Sequence, residues 1–285
     1  MTTAVPLTEA CCEHGEGPVW DGRSGRLALV DMLRGDVLFA GQDGTVIRRH
    51  VGSVAAALRP RASGGWVLAI ERGFAFGDAD LTQIEPLPPL WADTSVRMND
   101  GGCDATGRFF CGSLASDGRP GAGQVYRLAP GREPEAVLDQ VTVSNGLGWS
   151  PDGRTAYYVD SATQRIDAFD YDQARGELTH RRPLAEIAPA DGVPDGLTVD
   201  AEGGIWLALH AGGAVRRYLP DGELAGEVEV PVSSPTACTF GGPGLRTLYI
   251  TTSSLGLPPG REPAAGSVFV CEPGVAGLPA HPYRG

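Results

Sequence analysis

The segment DATGRFFCGS at residues 104–113 and the segment DAEGGIWLAL at residues 200–209 share one pattern. Each has Asp, Ala, a variable residue and Gly, followed by an alternating apolar run. A looser form of this pattern, a glycine turn followed by β-branched or aromatic residues, recurs in GRSGRLALVD (22–31), ASGGWVLAI (62–70), PDGRTAYYVDS (151–161) and GPGLRTLYITT (242–252). A unit repeated six times therefore organises the chain.

The spacing of the six turns predicts the fold. Successive turn glycines are 39–50 residues apart, at Gly25, Gly64, Gly107, Gly153, Gly203 and Gly244. This period, built from short strands with no sustained helical periodicity, is typical of β-propellers with four-stranded blades. Two β-sandwich domains are the competing architecture, but they would not repeat one hairpin pattern six times. We predict an all-β, six-bladed β-propeller of four-stranded antiparallel blades, forming a single domain over residues 1–285.

The N-terminal stretch VPLTEACC (5–12) precedes the first repeat. A propeller ring is closed when the two ends of the chain share one blade. We therefore expect this stretch to add a strand to the last blade.

Charge and composition exclude several function classes. Asp and Glu number 35 against 23 Lys and Arg, and the resulting net charge of −12 disfavours nucleic acids and anionic membranes as partners. The chain has no Lys, which excludes Schiff-base chemistry and the phosphate-binding P-loop. Neither the serine-hydrolase elbow G-x-S-x-G nor the zinc motif H-E-x-x-H occurs.

The cysteine pattern favours a reducing compartment. None of the six cysteines forms a C-x-x-C pair, and the N-terminus lacks the charged and apolar regions of a signal peptide. We predict free thiols and a cytoplasmic protein without a membrane segment. The vicinal pair Cys11 and Cys12 has no pattern with a recognised function.

One position in each repeat points to the centre of the propeller. Eight residues before the turn glycine, or nine in the first repeat, lies the start of the strand that lines the central channel. The residues at this position are Glu16, Ala56, Asn99, Asn145, Asp195 and Thr236. The two asparagines are the only ones in the chain, so their equivalent placement is unlike a chance arrangement.

Carboxylate and amide oxygens that converge from different blades suit one divalent cation. The absence of Cys and His from this ring argues against a structural zinc site. The alternative interpretation is that the N-G and D-G dipeptides are tight turns, as at Asp43, Asp152 and Asp221. That interpretation is weaker for Asn145 and Asp195, because they precede a strand in the same register of the repeat.

The third repeat adds Arg97 beside Asn99. Strand alternation places these two side chains on one face. A guanidinium and an amide next to a cation suit a polyhydroxylated or anionic ligand, whereas a surface ion pair is the alternative role for Arg97.

Five ordered motifs carry a family resemblance over nearly the whole chain. They are GEGPVWD (15–21), RMNDGGCDATGRFFCGS (97–113), SNGLGWSPDGRTAYYVDS (144–161), PDGLTVDAEGGIWLAL (194–209) and FGGPGLRTLYITT (240–252). The chain resembles the gluconolactonase, regucalcin (senescence marker protein) and luciferin-regenerating enzyme family, whose fold is a six-bladed propeller.

The resemblance implies roles for the ring residues. Glu16, Asn145 and Asp195 match the family's ligands for a single divalent metal ion, and Asp195 matches its general base. Arg97 and Asn99 match residues that bind sugar-lactone hydroxyls. Asp117 stands where animal relatives carry a Glu that contacts the substrate, and because its side chain is shorter, the resemblance does not fix that contact or the sugar preference.

The resulting expectation is a hydrolase that opens sugar lactones such as glucono-1,5-lactone or a pentonolactone to aldonic acids. The metal ion would act as a Lewis acid and Asp195 as general base. The metal could be Ca²⁺, Zn²⁺, Mn²⁺ or Mg²⁺. Two alternatives stay open: a hydrolase of other lactones or organophosphate esters, and a non-catalytic calcium-binding regulatory protein.

Overall fold

The computed structural model describes residues 2–285, which contain strands and short 3-10 helices but no α-helix. The strands of its first half are β1 (Thr2–Thr3), β2 (Val5–Pro6), β3 (Gly15–Asp21), β4 (Arg26–Asp31), β5 (Asp36–Ala40), β6 (Val46–His50), β7 (Ala55–Pro60), β8 (Trp66–Ile70), β9 (Gly73–Gly77), β10 (Ile84–Pro86), β11 (Val96–Cys103), β12 (Phe109–Ala115), β13 (Gly123–Leu128) and β14 (Glu135–Val141).

The strands of the second half are β15 (Ser144–Trp149), β16 (Thr155–Asp160), β17 (Arg165–Asp172), β18 (Glu177–Glu186), β19 (Val193–Val199), β20 (Ile205–His210), β21 (Ala214–Tyr218), β22 (Leu224–Glu229), β23 (Pro235–Gly241), β24 (Thr247–Thr252) and β25 (Phe269–Cys271). The 3-10 helices are Met32–Arg34, Ser161–Thr163, Pro189–Asp191 and Pro243–Leu245.

Six antiparallel blades form the predicted six-bladed propeller. Strands β3–β6, β7–β10, β11–β14, β15–β18 and β19–β22 form blades 1 to 5, and β23, β24, β25 and β2 form blade 6. The first strand of each blade packs against the first strands of both neighbouring blades, so these six strands surround the channel. The repeat count therefore predicted the blades correctly.

The N-terminus closes the ring as expected. Strand β2 pairs antiparallel with β25, with Val5 opposite Val270 and Pro6 opposite Phe269. Strand β1 was not predicted: it pairs parallel with β22 and adds a fifth strand to blade 5. The N-terminal segment thus ties two adjacent blades together.

The Asp that begins the repeated Asp-Ala-x-Gly pattern has a structural role, as Asp200 shows. The fully buried Asp200 carboxylate accepts hydrogen bonds from the backbone of Gly204 (2.8 Å), the Trp206 indole (2.8 Å) and the Arg217 guanidinium (2.7 Å). Gly203 completes this turn with φ of +89°, a conformation that favours glycine. Asp therefore fastens the turn to the strand that follows and to its neighbour.

Aromatic contacts between blades fill the core. Trp206 packs edge-on against Phe240 at 5.8 Å between ring centroids, and Trp20 stacks on Tyr249 at 5.4 Å. The ring centroids of Trp149 and Phe110 are 5.4 Å apart, and Trp149 is buried to the same extent as Trp20. These contacts join different blades, so the tryptophans of the repeats pack in the core.

Every first strand is irregular near its channel position. In five blades the channel residue lies in the short segment of the first strand that has no partner on the second strand. In blade 4, for example, Asn145 lies between Ser144 and Leu147, the paired residues on either side of the break in register. In β3 the break follows Glu16, which agrees with the extra residue counted in that repeat. Such β-bulges re-aim a side chain away from the strand's ordinary alternation.

No helix among residues 2–285 has the length and apolar character needed to cross a membrane.

Candidate functional site

A cavity of about 430 Å³ lies at the end of the channel where the first strands begin. Glu16, Asn99, Asn145 and Asp195, from blades 1, 3, 4 and 5, line it together. Residues more than 40 positions apart in the sequence are thus neighbours in one cavity. Ala56 and Thr236, the remaining two channel residues, do not line it.

The two cavity carboxylates are buried. Only 2% of Glu16 and 6% of Asp195 is exposed. Burial raises the pKa of Glu16 well above its usual value, and the nearby Asp195 and Asp100 carboxylates raise it further. Burial likewise raises the pKa of Asp195, again with a contribution from Asp100. Buried carboxylates that repel one another need a compensating positive charge to stay ionised.

Asn145 is held in a defined orientation by Ser161. Its Nδ2 donates to Ser161 Oγ at 2.8 Å, and Ser161 Oγ in turn donates to the Pro194 carbonyl at 2.6 Å. The Asn145 Oδ1 accepts a hydrogen bond from Asn99 Nδ2 at 3.1 Å. Because the amide nitrogen donates to Ser161, the amide oxygen is the Asn145 atom with a lone pair available to a cation, the one that Asn99 does not use.

This set of donors fits one hard divalent cation. Among residues 2–285 no cluster of three His, Cys, Asp or Glu side chains is placed to hold a metal ion. The candidate set here instead combines two carboxylates, Glu16 and Asp195, with the amide oxygen of Asn145. Oxygen-only sets of this kind suit cations such as Ca²⁺, which take their remaining ligands from water or a bound molecule.

Arg97 extends this site on the blade 3 side. Its Nη1 donates to Asn99 Oδ1 at 2.8 Å and to the Met98 carbonyl at 2.9 Å. Burial lowers the pKa of Arg97, while the Glu16 carboxylate favours the charged form. All of its hydrogen bonds to residues 2–285 come from Nη1, so Nε and Nη2 remain for a ligand. Arg97 is therefore a cavity residue and has no surface ion pair.

Asp117 lies elsewhere. It occupies the exposed turn between β12 and β13 and is absent from the cavity lining. Its carboxylate pairs with Arg119 at 3.1 Å, and Arg119 also pairs with Asp93 at 2.9 Å. The ion pairs hold Asp117 on the surface of the turn. Six site residues were predicted. All of them except Asp117 line the cavity.

Eight lining residues were not predicted from the sequence as part of the site, and His14, His210 and Gln164 are the polar ones among them besides Ser161. His14 Nδ1 lies 2.8 Å from Ser253 Oγ, and burial, together with Arg97 and His210, lowers the pKa of His14 to about 4. Burial also lowers the pKa of His210, so the surroundings favour the neutral form of both imidazoles. Gln164 lines the same cavity, and its buried Oε1 has no hydrogen-bond partner among residues 2–285.

These residues gave little signal in the sequence. Gln164 follows the 3-10 helix Ser161–Thr163 and has φ of +53°, a conformation that residue type alone does not predict. His14 is two residues before Glu16, and that proximity was its only signal. His210 ends a strand with no metal-ligand spacing around it.

Comparisons with known proteins identify the family of the chain. The family model described as SMP-30/Gluconolactonase/LRE-like region matches residues 14–254. Regucalcin from Oryctolagus cuniculus is 35% identical over 290 residues, covering 96% of each chain.

Solved structures show the same similarity. A calcium-binding protein, regucalcin from Agrobacterium tumefaciens, superposes with a TM-score of 0.94 at 27% identity, covering 99% of this chain and 98% of that one. A gluconolactonase from Xanthomonas campestris superposes with a TM-score of 0.76 at 25% identity, covering 94% and 88%. With the family model spanning most of the propeller and the relatives spanning nearly all of it, the chain belongs to the SMP-30/gluconolactonase/LRE-like family.

Proposed function

We propose that this protein is a metal-dependent hydrolase that opens sugar lactones to aldonic acids. The observation that carries the proposal is the convergence of Glu16, Asn145 and Asp195 in one cavity with Arg97 and Asn99. The first three supply oxygen ligands, and the last two supply hydrogen-bonding groups for a hydroxylated ring. The gluconolactonase from Xanthomonas campestris supports this substrate class.

Glu16, Asn145 and Asp195 would hold the metal ion. A cation held there would supply Lewis-acid chemistry, stabilising negative charge on the lactone carbonyl oxygen. We propose calcium as the first ion to test among Ca²⁺, Zn²⁺, Mn²⁺ and Mg²⁺. The oxygen-only ligands and the name of the Agrobacterium tumefaciens relative both support that choice.

Asp195 would act as general base. Its carboxylate faces the same cavity as the substrate and accepts a proton from the attacking water. The water oxygen bonds to the carbonyl carbon, the ring C–O bond breaks, and the ring oxygen takes up a proton. The product is an open-chain hydroxy acid.

Arg97 and Asn99 would orient the sugar ring. The Arg97–Asn99 hydrogen bond fixes both groups, and the free Arg97 nitrogens donate to lactone hydroxyls. Asp117 has no part in this proposal because it lies outside the cavity.

Proton release from lactones tests the function. We expect the protein to hydrolyse glucono-1,5-lactone or a pentonolactone faster than the spontaneous rate, EDTA to abolish the excess rate, and added metal to restore it. Asp195→Ala should lose metal binding and turnover. The exposed Asp221 provides a matched control, since Asp221→Ala removes one carboxylate from a surface turn.

Two results would separate the candidate functions. Tight metal binding without turnover on a panel of aldonolactones would favour a calcium-binding regulatory protein. Full activity in Asp195→Ala would contradict the assignment of the base.

A further inference from the structure

The vicinal cysteines Cys11 and Cys12 lie in the seam where the N-terminus closes the propeller. The backbone N–H groups of both donate to the Gly266 carbonyl at 3.0 Å. Four residues earlier, Leu7 N donates to the Val268 carbonyl at 2.8 Å. The two cysteines therefore belong to the contact between the N-terminal segment and blade 6, and the chain runs on from them into β3.

The two sulfur atoms touch each other and polar groups. Cys11 Sγ lies 3.8 Å from Cys12 Sγ and 3.6 Å from the Thr8 hydroxyl. Arg48, held by ion pairs with Asp31 at 3.1 Å and Asp36 at 2.6 Å, donates a hydrogen bond to the Cys11 carbonyl. Cys11 is partly exposed and Cys12 is buried, so a small reagent meets Cys11 first.

The environment of Cys11 differs from that of the other cysteines. The hydrogen bond from the Cys12 thiol, followed by Thr8 and Arg48, outweighs burial and lowers the pKa of Cys11 to about 7. Burial raises the pKa of Cys271, the other partly exposed thiol, to about 11. The Cys11 thiol therefore ionises more readily than the Cys271 thiol.

We propose that Cys11 and Cys12 form a peroxide-reactive dithiol, with Cys11 as the attacking thiolate and Cys12 as the resolving thiol. The Cys11 sulfur attacks a hydroperoxide, an S–O bond forms, the O–O bond breaks and an alcohol or water leaves after protonation. The Cys12 sulfur then attacks the sulfenic acid, an S–S bond forms and water leaves. Two thiols lose two electrons in total to one hydroperoxide.

Oxidation would disturb the contact between the N-terminal segment and blade 6. The Cα atoms of adjacent residues are about 3.8 Å apart, below the separation of about 4.4–6.8 Å that disulfides ordinarily span. The Cys11–Cys12 peptide must therefore rotate, and the two N–H groups that now share the Gly266 carbonyl cannot both keep their hydrogen bonds. We expect the oxidised protein to melt roughly 2–8 °C below the reduced protein.

Trypsin separates the two cysteines from all others. The peptide 1–23 contains only Cys11 and Cys12, and the peptide 262–284 contains only Cys271. The reduced full-length protein is treated at pH 7 with less than one equivalent of hydrogen peroxide and digested. Peptide 1–23 should lose two hydrogen atoms in mass, and dithiothreitol should restore them. Before oxidation, iodoacetamide should label Cys11 roughly fifty times faster than Cys271.

Variants assign the two roles. Cys12→Ser should accumulate a sulfenic acid on Cys11 that a 1,3-diketone reagent traps, Cys11→Ser should leave peptide 1–23 unoxidised, and Cys271→Ser should behave as wild type. Oxidation of peptide 262–284 as fast as peptide 1–23 in the wild-type protein would overturn the proposal. So would wild-type peroxide consumption by a Cys11→Ser variant that retains the wild-type circular dichroism spectrum.

Discussion

Replacing Asp195 with Asn should separate stability from metal binding. Asp195 is a buried carboxyl, and Asp195, Glu16 and Asp100 act unfavourably on one another in the metal-free protein. Asn keeps the shape and removes the charge. Since burying an uncompensated carboxylate is costly, we expect Asp195→Asn to raise the free energy of unfolding of the metal-free protein by about 1–2 kcal/mol. For a chain of this size that corresponds to a melting temperature roughly 2–8 °C higher.

Metal addition should stabilise the wild type more than the Asp195→Asn variant. A cation at about 100 times its dissociation constant stabilises the wild type by about 2.7 kcal/mol, or roughly 5–10 °C. The Asn variant lacks one of the two charged ligands, so its rise at the same metal concentration should be below about 2–4 °C.

Thermal denaturation followed by circular dichroism, first in EDTA and then across a calcium titration, measures both effects. Asp221→Asn, which removes the same charge from an exposed turn, is the matched control and should behave as wild type in both conditions. A variant that is less stable than wild type in EDTA and keeps the full calcium-induced rise would refute the reasoning. In that case Asp195 would be a structural residue without a role in binding.

Three further predictions test other parts of the molecule. Gln164→Leu should lower kcat/KM for a hydroxylated lactone about tenfold without lowering the melting temperature, because the buried amide oxygen has no hydrogen-bond partner within residues 2–285 and is available to a substrate hydroxyl. An unchanged kcat/KM would exclude that contact. Asp200→Asn should reduce the free energy of unfolding in urea by about 2–4 kcal/mol, since the Arg217 and Trp206 donors lose a buried carboxylate, and an unchanged urea midpoint would contradict this. Deleting residues 2–12 should lower the melting temperature by removing two strands, and an equal melting temperature would show that closure contributes nothing.

The fold was predictable because it is periodic. A turn glycine at a nearly constant interval identifies each blade, and an offset of eight residues from that glycine, or nine in the first repeat, identifies one radial position. Glu16, Asn145 and Asp195 could therefore be grouped from sequence although they come from three blades. The structure confirms the blades, the closing strand and the location of these residues in one cavity, whereas their roles as ligands and base remain predictions.

Much of the rest of the cavity could not be predicted because residues between strands or at strand ends build it. Gln164 reaches the cavity through a left-handed backbone conformation, and His14 lies in the irregular segment before β3. The same reason explains Asp117: sequence similarity assigned it to the substrate, but the conformation of its turn and its ion pair with Arg119 decide its location. Local backbone geometry of this kind has no periodic signature.

In five of the six blades a bulge frees the channel position from strand pairing, whereas in blade 1 the bulge follows Glu16, which stays paired with Val30. Ala56 and Thr236 occupy this position in blades 2 and 6, where they carry no charge, and the blades there are as complete as the others. An exchange of side chain at such a position leaves the hydrogen-bond ladder of its blade intact. The propeller thus offers six side-chain positions around one axis. A new catalyst could evolve on this scaffold by substitutions at these positions while the blades stay unchanged.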